Sequence, residues 1–154
     1  DPGYRAFLRR VADPLMERLE PGAEGLDYGS GPGPTLSLIL GEHGFETANY
    51  DPFFAPDPAP LQRPWDFVTC TETAEHFVEP GPAFAKLAGL LRRPGWLAIM
   101  TRVLEDDAGF ESWWYTRDPT HVTFYRAETL DWIAREYGWA LERPRGDVAL
   151  YSNG

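Results

Sequence analysis

Two acids and a run of glycines are the residues best placed to do chemistry. Asp27-Tyr28-Gly29-Ser30-Gly31-Pro32-Gly33 puts a carboxylate two residues ahead of a glycine-rich turn. Glycines there let the backbone approach a ligand closely and adopt positive φ. A helix start behind them offers N–H groups to an anion. A dinucleotide fingerprint counted from Gly29 would need glycine where Pro34 stands. A P-loop would need Gly-Lys followed by Ser or Thr, and no such run occurs. The carboxylate of Asp27 repels a pyrophosphate and favours a ligand with an ammonium or sulfonium centre. Asp51 stands 18 positions after Gly33, close to the ~20 at which an acid takes ribose hydroxyls in open α/β sheets. An ionised carboxylate accepts both hydroxyls. Asp51-Pro52 is also a common turn pair, so the two acids together say more than either alone.

Proton chemistry falls to three histidines. His43, between Glu42 and Gly44 near a helix end, reads as surface. His76 follows Glu75, with Glu72 four positions earlier. On a helix these three would share a face, where two carboxylates and an imidazole could take a divalent ion. A plain helix start explains the same short pattern and is preferred, with no metal expected. His121, in Asp118-Pro119-Thr120-His121-Val122-Thr123-Phe124-Tyr125, is either a base or a loop histidine satisfied by backbone, and the two readings stand even. Phe110, Trp113, Trp114, Tyr115, Phe124 and Tyr125 could wall a pocket for a flat or apolar molecule, or cover a sheet edge. Arg102 and Arg117 read as solvated surface, and Cys70 as a buried structural thiol.

The elements that must position these groups follow from periodicity. Phe7, Leu8, Val11, Leu15 and Leu19 recur at helical spacing over 4–19, with Pro14 expected to split or kink that helix. Strands are expected at 26–28, 45–50, 66–71 and 96–101, and a terminal pair at 139–142 and 148–152. Helices are expected at 36–43, 82–91 and 129–137, the last closed by Gly138. The Pro-rich stretch 52–64 reads as loop. Strands alternating with helices predict βαβ units and a mainly parallel sheet.

With 154 residues the chain is expected to form one domain, residues 1–154, with an N-terminal helical segment at 1–20 and an aromatic insertion at 102–125. The formal charge of −10 argues against nucleic acid and anionic membrane. One cysteine fits a reducing, cytoplasmic compartment. No signal-peptide pattern opens the chain, and no apolar run approaches the ~20 residues of a membrane span. The chain opens on Asp1 rather than Met, so natural residues are expected to precede it.

On these motifs the sequence resembles a class I S-adenosylmethionine-dependent methyltransferase, similar to the ubiquinone-pathway methylase group. The resemblance is carried by Leu26–Gly33, by Tyr50-Asp51-Pro52, by Asp66–Glu72 with Glu75-His76-Phe77, and by Leu90–Trp96, in the family's order. It implies a Rossmann-like α/β fold: a seven-stranded, mainly parallel sheet with the last strand antiparallel. Too few residues separate Asp51 from Asp66 for a full third strand, so that edge is expected to be shortened. The family's acidic adenine contact then has no clear counterpart, and Asp57 is a poor substitute.

The resemblance further implies cofactor contacts from Asp27, Tyr28, Gly29, Ser30, Gly31, Asp51, Pro52, Phe53, Thr71 and Glu72. The catalytic candidates are His121, Glu72 and His76, with the Glu-x-x-Glu-His run similar to a metal cluster of the ubiquinone-pathway enzymes. The expected acceptor is a small molecule methylated at O, N or C, and the chain is expected to be a monomer or homodimer. The alternative is a cofactor-binding module without turnover that acts through a protein partner.

Overall fold

The computed structural model describes residues 1–104 and 119–154. In chain order the main elements are α1 (Pro2–Met16), β1 (Gly25–Tyr28), α2 (Thr35–Glu42), β2 (Thr47–Tyr50), β3 (Trp65–Thr71), α3 (Pro80–Gly89) and β4 (Leu91–Met100). They continue with β5 (Val103–Leu104), β6 (Tyr125–Arg126), α4 (Ala127–Tyr137), β7 (Ala140–Arg145) and β8 (Val148–Ser152). Six strands form one sheet in the order β2-β1-β3-β4-β8-β7. The pairs β1–β2, β1–β3 and β3–β4 are parallel, whereas β8 runs antiparallel to both β4 and β7. β5 and β6 pair in parallel as a separate ribbon.

Strand side chains alternate across the sheet, and two cores result. On one face Phe67, Ala98, Met100, Val148 and Leu150 pack against Leu8, Val11 and Leu15 of α1 and Ile39 and Leu40 of α2. On the other, Val68, Cys70, Leu97, Ile99 and Tyr151 meet Phe84 and Leu87 of α3 and Leu130 and Ile133 of α4. The expected helix–sheet–helix sandwich is therefore present, with the last strand antiparallel.

Three expectations need correction. The sheet has six strands rather than seven. The chain between β2 and β3 holds only a turn, closed by an Asp51–Ala55 bridge, and a 3-10 turn at Ala59–Gln62. That crossover is used up in returning past β1, so the sheet edge beyond β2 is shortened, as the few residues between Asp51 and Asp66 led one to expect. Asp57 does not stand in for the adenine acid; its Oδ1 accepts the Ala59 N–H at 3.0 Å and starts the 3-10 turn. Pro14 does not split α1. It sits in the last turn and is itself buried, and the helix runs unbroken from Pro2 to Met16. β4 starts at Leu91, earlier than Trp96, because Leu91 pairs with Trp65 before a register shift between Trp65 and Phe67.

Candidate functional site

The carboxyl ends of β1, β2 and β3 lie side by side, which is where open α/β sheets bind ligands. Gly29 and Gly31, just past β1, have φ of +81° and +72°. Gly29 has no room for a side chain, because an added Cβ would lie 2.4 Å from Thr73 Oγ1. The Gly29 and Ser30 N–H groups donate to the Tyr50 carbonyl at 2.8 and 3.0 Å, and the Gly31 N–H donates to Asp51 Oδ2 at 2.9 Å. These amides were expected to be open to an anion. They instead stitch the loop to the end of β2, so a ligand must be held by other groups.

Asp27 ends β1 almost fully buried, at 4% exposure. Its Oδ1 accepts the Thr69 hydroxyl at 2.9 Å. Burial pushes its pKa up to about 7, against the pull of the Thr69 hydrogen bond and with a further push from Asp51. Such a carboxyl is held short of a cation. Thr71, at the end of β3, has a buried hydroxyl with no hydrogen-bond partner. Both residues line a cavity of ≈ 460 Å³ with Gly29, Ser30, Gly31 and Glu72. Tyr4 and Phe7 of α1 close that cavity, and sequence reasoning missed them. Tyr4 sits three residues ahead of Phe7 on the stripe that packs the helix; only docking of α1 turns it to the glycine loop. Burial raises the Tyr4 phenol, as do the Asp27 and Glu72 charges.

Asp51 is engaged in its own turn. Oδ1 accepts the N–H groups of Phe53 and Phe54 at 2.9 and 3.2 Å, while Oδ2 takes only Gly31. The turn and ligand readings therefore coexist, with one acceptor position left on Oδ2. Asp51, Pro52 and Phe53 line a second cavity of ≈ 820 Å³ with Tyr28, Phe77 and Val122. The two cavities share Gly29, Gly31 and Glu72, so they form one groove across the strand ends. The apolar walls Phe53, Phe54, Val78 and Val122 are 85%, 61%, 82% and 50% exposed. Sequence reasoning found Phe53, and Phe77 only as the end of the Glu75-His76-Phe77 block, whereas Thr73 and Val78 carried no motif that could have marked them.

Glu72, φ +52°, is the one non-glycine residue with positive φ among those described. Its carboxyl is pushed up to about 8, first by burial, then by a hydrogen bond to Glu75 and the Glu75 charge. The shared helical face expected for Glu72, Glu75 and His76 is not formed. Glu72 follows β3 in an extended bend, and only Ala74–His76 make a short 3-10 turn. That turn buries Glu75 completely and leaves His76 exposed. His121 does approach this group: the His76 and His121 rings are 5.0 Å apart, and both Thr120 and Val122 line the second cavity. His43 is exposed on α2, its Nδ1 2.9 Å from the Ile39 carbonyl. Cys70 is buried, and burial raises its thiol well above the ordinary value.

Of the aromatic insertion, Phe110, Trp113, Trp114, Tyr115 and Arg117 lie outside the described residues. Tyr125 is core, its hydroxyl donating to the Ala74 carbonyl at 2.9 Å.

The chain matches the sequence family described as a methyltransferase domain over residues 3–143. No curated protein sequence matches it. Solved structures share the fold at low identity. Magnesium protoporphyrin IX methyltransferase from Synechocystis, with bound S-adenosylhomocysteine, has a TM-score of 0.69 at 15% identity, covering 99% of this chain and 84% of that one. A Burkholderia thailandensis 1,6-didemethyltoxoflavin N1-methyltransferase, with its substrate and S-adenosylhomocysteine, has 0.69 at 18%, covering 97% and 79%. A Haloferax volcanii methyltransferase in complex with its activator protein has 0.71 at 12%, covering 98% and 92%.

Proposed function

Because this chain belongs to the methyltransferase-domain family, we propose that it is an S-adenosylmethionine-dependent methyltransferase acting on a small molecule. The observation that carries the reading is the groove. A buried, cation-free Asp27 and an unpaired Thr71 hydroxyl line one end, and Asp51 with Pro52 and Phe53 lines the other. The residues fit the cofactor. Asp27 and the Thr71 hydroxyl are suited to the ammonium end, and the open acceptor position of Asp51 to a ribose hydroxyl. The exposed rings of Phe53 and Phe54 give a flat, apolar face for adenine. Bound cofactor supplies an activated methyl group on a sulfonium.

The chain's own task is then alignment, which lowers the barrier without covalent participation. Glu72 joins the two cavities, so the acceptor side is the end bordered by Glu72, His76 and His121. An oxygen or nitrogen acceptor must lose a proton, and His121 is the assigned base. Beyond the two rings given to adenine, Phe77, Val78 and Val122 of the larger cavity favour a small, largely apolar acceptor, and the formal charge of −10 disfavours nucleic acid. Among the described residues no helix is long and apolar enough to cross a membrane. The assigned compartment is the cytoplasm, and the assembly a monomer or homodimer.

Titration calorimetry with S-adenosylmethionine and with NAD should give heat for the first alone. An acceptor screen that detects S-adenosylhomocysteine should then find turnover that His121→Ala lowers at unchanged cofactor affinity. Full activity in that variant removes His121 from the mechanism. Heat with S-adenosylmethionine but no turnover with any acceptor favours a second reading, a cofactor-binding module working through a partner. The activator complex of the Haloferax volcanii neighbour gives that reading its support.

A further inference from the structure

The best-built cluster not used to hold the cofactor is Glu75, His76 and His121. One ligating atom from each lies within 4.8 Å of the others. The expected Glu72–Glu75–His76 face would have come from one local segment. This set draws instead on two segments about 45 residues apart in the chain that are pinned together. The Val122 and Thr123 N–H groups both donate to the Glu75 carbonyl at 3.0 Å. The Thr123 hydroxyl donates to the Phe77 carbonyl. His76 Nδ1 lies 2.8 Å from the Thr120 carbonyl. A nitrogen facing a carbonyl must carry the proton, which leaves the lone pair on Nε2. That is the second-shell arrangement of a metal-bound histidine.

Glu75 supplies an independent sign. It is 0% exposed, its Oε1 accepts the Thr101 hydroxyl at 3.2 Å, and its Oε2 is buried with no fixed donor. Removing a carboxylate from water with one hydroxyl and the neighbouring Glu72 carboxyl as compensation is costly unless a cation, or a proton shared with Glu72, completes it. Two imidazoles stand where a cation would be shared.

We propose that Glu75, His76 and His121 bind one divalent transition-metal ion at the acceptor end of the groove. Two imidazole nitrogens and one carboxylate oxygen suit zinc, cobalt or ferrous iron over magnesium or calcium, which prefer oxygen ligands. Three protein ligands leave at least one coordination position open, the hallmark of a site that takes water or substrate. Ligand atoms around such an ion sit about 3 Å apart at bond lengths of ~2.1 Å. Closing from 4.8 Å takes side-chain movements of about an ångström. The exposed His76 and half-buried His121 can make them. With both imidazoles on the ion, proton acceptance in the proposed reaction passes to Glu72. The metal site itself depends only on donor geometry and stands apart from the methyltransferase reading.

The test is a titration of chelator-stripped, untagged full chain with Co2+, followed by its visible absorption. One equivalent should give d–d bands, and Zn2+ should displace them. His76→Ala and His121→Ala should each weaken binding tenfold or more with the far-ultraviolet spectrum unchanged, while His43→Ala should bind as the parent does. These surface variants keep the test sound if Glu75→Gln fails to fold. Absence of d–d bands at millimolar Co2+ overturns the proposal, as does equal binding by both histidine variants. S-adenosylmethionine titrated into the same stripped protein separates the two claims: a chain that binds the cofactor but gives no Co2+ bands sinks the site alone, and one that gives the bands but binds no cofactor sinks the proposed reaction.

Discussion

Asp27 shows what a ligand site costs an empty protein. Its carboxyl is displaced upward from 3.8 to about 7 by burial. An acid whose folded value exceeds its unfolded one loses stability for the fold as pH rises between the two, at up to ~1.4 kcal/mol per unit. Ligand-free protein should therefore lose stability from about pH 4 to pH 7. Asp27→Asn should flatten that slope, raise Tm at pH 8 and abolish cofactor binding; an unchanged slope would clear Asp27 of the effect. Gly29 carries a different constraint. Its φ of +81° and the Thr73 side chain both oppose a Cβ, so Gly29→Ala acts through the fold. We expect a loss of ~1–3 kcal/mol in urea unfolding. Adding Thr73→Ala should relieve the contacts with Oγ1 and Cγ2 and leave the Cβ contact at 2.9 Å and the backbone part; no recovery would mean that those two carry the whole loss.

At the scale of elements, alternation along β3, β4 and β8 sends adjacent residues to different cores. Phe67 packs with α1 and α2, and Val68 with α3 and α4. Gly25 of β1 admits the Phe67 ring, since an added Cβ would sit 2.1 Å from Phe67 Cε2. Gly25→Ala therefore either tilts β1 or expels the ring, for an expected ~1–3 kcal/mol seen as a lower Tm. A Tm within a degree of the parent would show that the ring has another place to go. The strand ends matter most, because β1, β2 and β3 finish together and bring Asp27, Asp51 and Thr71 to one groove. α1 completes it from outside the sheet. The docking of α1 is reinforced by Arg10, whose guanidinium pairs with Asp147 at 2.8 Å beside β8.

For the whole molecule the governing quantity is a formal charge of −10. Excess charge of one sign opposes the compact state by self-repulsion, and the Debye length shrinks from ~30 Å at 0.01 M salt to ~8 Å at 0.15 M. Tm at neutral pH should therefore rise by a few degrees between those salt concentrations. A fall would mean that the surface pairs, such as Arg18–Glu142 at 3.1 Å, outweigh the repulsion. The same charge repels polyanions.

Much was legible in order along the chain because local chemistry wrote it. The glycines after an apolar strand, the acid 18 positions after Gly33 and the 2- and 3.6-residue periods are all short-range. They carried the α/β alternation and the acids of the groove, while the antiparallel final strand was implied only by the family resemblance. What they could not carry is set by packing between distant segments. Pro14 stays helical because its turn is buried. The loop amides close on Tyr50 and Asp51 instead of on a ligand. Tyr4 reaches the groove only because α1 docks there. His121 meets His76 only because two backbone N–H groups hold its loop on Glu75. Sequence spacing governs contacts within a turn or a strand; contacts across the sandwich are decided by which surfaces must be buried together.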